Sequence, residues 1–167
     1  PAVNGAVRIA LVIGGLGISQ MGTRAAVEQL PPEVSLAFAP YGNDLEASVA
    51  QAREAGHELL LQVPLEPFDY PNVDPGEHTL TVAGPAADNR DRLDWLMSRI
   101  STYVGVVNYM GARFTSDAGA METFLEEVDC LNPSTHRDSA LGPRAELDPN
   151  VYLLLAGEYP LELHRVK

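Results

Sequence analysis

Arg8-Ile9-Ala10-Leu11-Val12-Ile13-Gly14-Gly15-Leu16-Gly17, near the start of this 167-residue chain, is an apolar run closed by glycine. Residues 9–13 are continuous, rich in β-branched side chains and bounded by Gly14-Gly15, which predicts a buried strand. Working outward, apolar positions recur at helical spacing over 19–30, with Ser19 as N-cap and Pro31-Pro32 as the stop. A second strand is expected over 34–39. A helix capped by Asn43 or Asp44 runs to about residue 55, where Gly56 takes the position just past its end. Residues 59–63 read as a third strand, 86–100 as a helix, 103–107 as a fourth strand, and Ser116-Asp117 as the cap of a helix reaching about 128. Strands alternating with helices argue for an α/β fold with a parallel sheet.

Two stretches break the alternation. Residues 64–84 contain Pro64, Pro67, Pro71 and Pro75 without periodicity, and a connection of that length in a compact domain is usually functional or mobile. After 128 the pattern is lost until the apolar runs 151–156 and 161–166. The pattern therefore separates an α/β domain (8–128) from an atypical C-terminal segment (129–167).

Composition bounds the function. An apolar share of 46% supports one domain with a real core. Eleven basic against 23 acidic residues give a net charge of −12, which disfavours nucleic acid or an anionic membrane surface as partner. No apolar run approaches the roughly 18 residues of a membrane span. The single Cys130 excludes an intramolecular disulfide framework. No signal peptide is visible in this segment, and a chain beginning at Pro1 reads as part of something longer.

Few residues stand in a chemical pattern. Gly14, Gly15 and Gly17 suggest a phosphate loop, but Gln20 occupies the last glycine position and no lysine follows, so no nucleotide cofactor is implied. A tight turn with positive φ is the simpler account of Gly14-Gly15. His57 follows a helix-ending glycine, where packing or capping is its ordinary role. His78 lies beside Glu77 in the proline-rich loop. No serine sits in a nucleophile elbow and Cys130 lacks a histidine partner, so nucleophilic catalysis has no support. Gln62, Glu66, Phe68, Asp69, Tyr70, Asn108, Tyr109 and Arg113 follow or end strands, where α/β folds place ligands. Aromatic rings beside amides and carboxylates suit a sugar, although Glu66-Pro67-Phe68-Asp69-Tyr70-Pro71 is equally a stiff loop set by two prolines.

Leu36-Ala37-Phe38-Ala39-Pro40-Tyr41, Gly56-His57-Glu58, Pro64-Leu65-Glu66-Pro67-Phe68-Asp69-Tyr70-Pro71 and Asn108-Tyr109-Met110-Gly111-Ala112-Arg113 occur in that order. Over about residues 8–128 the chain resembles the divergent polysaccharide deacetylases, metal-dependent hydrolases on a distorted β/α barrel. The resemblance implies that fold, with the barrel open or its C-terminal part not the family's own. It also implies a first strand ending in Asp-Asp, for a general base and a metal ligand, where this chain has Gly14-Gly15. The family's two metal histidines, five and nine positions after His57, fall on Gln62 and Glu66. Members that keep the Asp-Asp pair tend to carry histidine at the position of Tyr109.

A zinc-type site needs about three protein ligands, so the expectation is a protein without its metal and with no cofactor. From the resemblance, the expected partner is a carbohydrate of the bacterial envelope, the expected location is the periplasm or envelope, and residues 1–7 are expected to be the end of a linker. The candidate pocket residues are Gly14, Gly15, His57, Gln62, Glu66, Asp69, Tyr109 and Arg113. The alternatives are an active carbohydrate esterase rebuilt from Glu66, Asp69 and His78, or a non-catalytic envelope scaffold. Nothing in the sequence fixes an oligomeric state.

Overall fold

The structure is a computed structural model that describes residues 8–131, 151–156 and 164–165. The chain divides into two compact units, residues 1–60 with 143–167, and residues 61–142.

The first unit is built on β1 (Arg8–Leu16), β2 (Ser35–Phe38), the first two residues of β3 (Leu59–Leu65), β5 (Val151–Ala156) and β6 (His164–Arg165). Their order is β3-β2-β1-β5-β6. β2 and β5 flank β1 and run parallel to it, with Ile13 opposite Leu36 on one side and Ala156 on the other. Helix α1 (Gln20–Gln29) begins as expected, with the Ser19 hydroxyl accepting from the Gly22 N–H. Helix α2 (Leu45–Glu54) has Asp44 as N-cap, though its side chain makes no capping bond. Leu36, Phe38 and Ala52 are fully buried and Val12 and Leu16 nearly so. Leu11, on the other face of β1, is 47% exposed, so β1 is covered on one face where a two-sided burial was expected.

β1 is longer than the apolar run predicts because it continues through a bulge. From Ile13 to Leu16 the strand advances three residues while β2 advances two, from Leu36 to Phe38. Gly15 takes φ +75° there, the left-handed conformation that a bulge of this kind asks of glycine.

The second unit holds the rest of β3, helix α3 (Ala86–Met97), β4 (Gly105–Met110), the short α4 (Ala112–Ser116) and α5 (Ala118–Leu131), with β3 beside β4. Leu61, Val63, Leu65, Leu93, Leu96 and Phe114 form its core. The proline-rich stretch is a closed loop: the Glu66 N–H donates to Leu80 O at 3.0 Å and the Leu80 N–H to Pro64 O at 3.0 Å. Its ends are thereby pinned together beside β3, the arrangement of an Ω-loop. β4 lies two to three residues later than expected. It runs on until Met110 and Gly111 turn the chain with φ of 56° and 95°. At Gly111 a Cβ would lie 2.5 Å from Leu65 Cβ, so only glycine allows the turn to pass this close to β3.

Candidate functional site

The last residue position before the closed loop decides what this end of β3 can do. Glu66 is 3% exposed. Its Oε1 meets Arg113 Nη1 at 2.8 Å, and its Oε2 accepts from the Val82 N–H at 2.6 Å. Its backbone carbonyl accepts from the Phe114 N–H at 3.1 Å. One residue thus ties three segments together: β3, the 80–82 return of the loop, and α4. The Arg113 side chain remains 44% exposed, so the pair is anchored on the carboxylate side and open to solvent on the arginine side.

Around this pair the other second-unit candidates differ in what they present. Gln62 is buried on β3 at 8% exposure. Asp69 is exposed in the loop, and its carbonyl accepts from the Val73 N–H. Phe68 is 67% exposed beside it. Tyr109, near the end of β4, is 41% exposed, and the neighbouring Asn108 amide donates to Met110 O at 2.8 Å. His78 has φ 51° and stacks on Trp95 with centroids 3.9 Å apart.

In the first unit, His57 is 1% exposed and its ring lies between two carbonyls. Nδ1 is 2.8 Å from Val34 O and Nε2 3.4 Å from Val27 O. The shorter contact, between Nδ1 and the Val34 carbonyl, fastens the segment after α2 to the start of β2. This is the packing role that a histidine after a helix-ending glycine suggests. Gly14 and Gly15 lie at the bulge of β1, Gly15 exposed and with nothing within 4 Å of where a Cβ would stand.

At the positions where the resemblance implies metal ligands, these residues do not fit a transition metal. Gly15 supplies no donor, Gln62 is a neutral amide, and both Glu66 oxygens already serve Arg113 and Val82. Among the described residues no three of His, Cys, Asp and Glu come together.

The family profile of divergent polysaccharide deacetylases matches residues 11–139. The chain belongs to that family. Its α/β fold is of the family's kind. It is 27% identical over 118 residues to an uncharacterized protein of Haemophilus influenzae (strain ATCC 51907 / DSM 11121 / KW20 / Rd), over 71% of this chain and 41% of that one. It is also similar to the crystal structure of an uncharacterized protein from Agrobacterium tumefaciens C58, at 48% identity and a TM-score of 0.71. That match covers 74% of this chain and 51% of the other. The chain thus spans about half or less of the length of these two relatives. Among the described residues no helix is long and apolar enough to cross a membrane.

Sequence reasoning placed Glu66 and Arg113 at strand ends but missed the third partner, the backbone N–H of Val82. A signal was present. Thr79-Leu80-Thr81-Val82 alternates with a period of two and is rich in β-branched residues, the pattern of a short strand.

Proposed function

We propose that this chain is a carbohydrate-recognising member of the deacetylase family that works without the family's metal, in the bacterial envelope. The observation that carries the reading is the Glu66 carboxylate, held by Arg113 and Val82 at the position where the resemblance implies a metal histidine. A carboxylate so engaged is a structural strut. Recognition then falls to the exposed groups at the C-terminal ends of β3 and β4: Phe68, Asp69, Tyr109 and the solvent side of Arg113. Ring faces can stack on the CH surface of a sugar while Asp69 and Arg113 hydrogen-bond its hydroxyls. The rebuilt esterase is less well supported, because of its three donors Glu66 is committed and His78 is stacked on Trp95.

Two measurements test the reading. Elemental analysis of the purified protein should find well under one equivalent of zinc, cobalt, nickel or manganese; stoichiometric metal that resists mild chelation overturns the metal-free half. Calorimetry against soluble cell-wall oligosaccharides should find binding that Phe68→Ala and Tyr109→Ala each weaken about threefold to tenfold, the range of one lost aromatic contact. Unchanged affinity in both variants, or no binding at all, favours the scaffold alternative.

A further inference from the structure

Away from the strand ends, the second unit contains a cavity of about 200 Å³ walled by α3, α5 and the 80–84 segment. Its inner wall is apolar. Leu80, Leu93 and Phe114 are each 1% exposed, and Phe124 is 9% exposed. The two phenylalanines meet edge to face with centroids 6.1 Å apart. An apolar protein cavity of about 150 Å³ is large enough to take benzene, so this space accepts a single ring or a short branched chain.

The rim is charged, and its two charges are unequally placed. Arg90 and Glu127 form an ion pair there, with the arginine side chain 60% exposed and the glutamate 17%. The carboxylate is the built-in member, and the guanidinium reaches it from solvent. Helix α5 carries Glu122, Glu126, Glu127 and Asp129 and no basic residue, which favours a cation over an anion at this rim. Asn89 is not available for recognition, because its amide is spent on the backbone of Thr81, accepting at 3.0 Å and donating at 2.8 Å.

We propose that this cavity binds a small primary amine with an apolar body. Its ammonium displaces Arg90 from Glu127, and its hydrocarbon part lies against Phe114, Phe124 and Leu93. Arg90 is solvated enough to leave without stranding a buried charge, and the incoming ammonium restores the pairing of Glu127. Val82 and Phe114, which line the space, are both held by Glu66 through their backbone N–H groups. The strut at the end of β3 therefore also fixes two walls of the cavity. The proposal is independent of saccharide recognition at the strand ends.

Titrating the isotopically labelled full chain with benzylamine, benzyl alcohol and benzoate, and following backbone amide resonances, tests it. Benzylamine should shift Leu93, Thr123 and Phe124 saturably and bind at least fivefold more tightly than benzyl alcohol, with benzoate weakest. Glu127→Gln should lower benzylamine affinity about fivefold and leave benzyl alcohol unchanged. Gly119→Leu should abolish binding of all three, since Gly119 lines the cavity without a left-handed φ and its added Cβ meets only Asp117 Oδ1, at 3.5 Å. The absence of saturable shifts at these residues, benzyl alcohol or benzoate binding as tightly as the amine, or binding that survives Gly119→Leu each overturns the proposal. Should Gly119→Leu fail to fold, the three-probe comparison on the unmutated chain decides alone.

Discussion

Removing the guanidinium of Arg113 would leave the Glu66 carboxylate, 4% exposed along its side chain, with the Val82 N–H as its one remaining partner among the described residues. A lost hydrogen bond to a charged group costs about 1.5–3 kcal/mol. Arg113→Ala should therefore lower the urea-unfolding free energy by about 2 kcal/mol. Glu66→Gln keeps an acceptor for Val82 and abolishes the charge, so it should cost less than Arg113→Ala. In the double variant the two losses should not add, because both remove the same pair. A loss below about 0.5 kcal/mol for Arg113→Ala would show the pair to be ornamental, returning Glu66 to the list of ligand-binding side chains. Tyr103 provides a second residue-scale test. Burial raises its phenol above the ordinary 10.0, by penalising the phenolate. A raised folded-state value means stability that is fully present below pH 10.0 and is lost as pH rises through the folded value. Denaturation should thus become easier above that pH, and Tyr103→Phe should flatten this part of the profile. A variant whose alkaline profile matches the parent's removes Tyr103 as the cause.

Elements were legible where a local rule and the fold agreed. α1 has its N-cap at Ser19 and its stop at the two prolines, and both signals act within a few residues, so the sequence displays them fully. β5 occupies the 151–156 run as read. The last third of the sheet in the second unit was harder. The fourth strand reads as ending at Val107, but it runs to Met110, because the turn is set by the approach of Gly111 to Leu65. That contact joins residues far apart in sequence and leaves no local mark. α4 was hidden in the same way: its five residues are too few to show a period. Within the candidate site, the residues were visible but their partners were not, since the Glu66–Arg113–Val82 arrangement depends on a loop folding back on its strand. Two glycines turn this distinction into a measurement. Gly111→Ala combines φ 95° with a Cβ contact of 2.5 Å on Leu65, and overpacking alone costs about 1–3 kcal/mol. Gly15 has φ 75° but open space around it, so Gly15→Asn, a residue that tolerates the left-handed region, should cost less than 1 kcal/mol by the scale of a glycine replacement. Equal losses at the two positions would show that the close approach of Gly111 is not what makes it obligatory.

At the scale of the molecule, the remaining question is how firmly the C-terminal segment, 129–167, belongs to the domain before it. β5 pairs with β1 over six positions, from Arg8 opposite Val151 to Ile13 opposite Ala156. On its other side, among the described residues, it meets β6 at two positions, Tyr152 opposite Arg165 and Leu153 opposite His164. A strand held well on one side and briefly on the other is expected to open before the strands at the centre of its sheet. In a parallel ladder, alternate residues of a strand direct their hydrogen bonds to opposite neighbours. β1 lies between β2 and β5, so its amides serve two different partners. If β5 opens as a separate unit, native-state hydrogen exchange should divide the amides of β1 into two alternating sets. Those paired with β5 should exchange together with β5 itself, at a lower opening free energy. Those paired with β2 should exchange with β2, near the global value. A single free energy shared by β1, β2 and β5 would overturn this, and would make the C-terminal segment an integral part of the domain rather than an appendage to it.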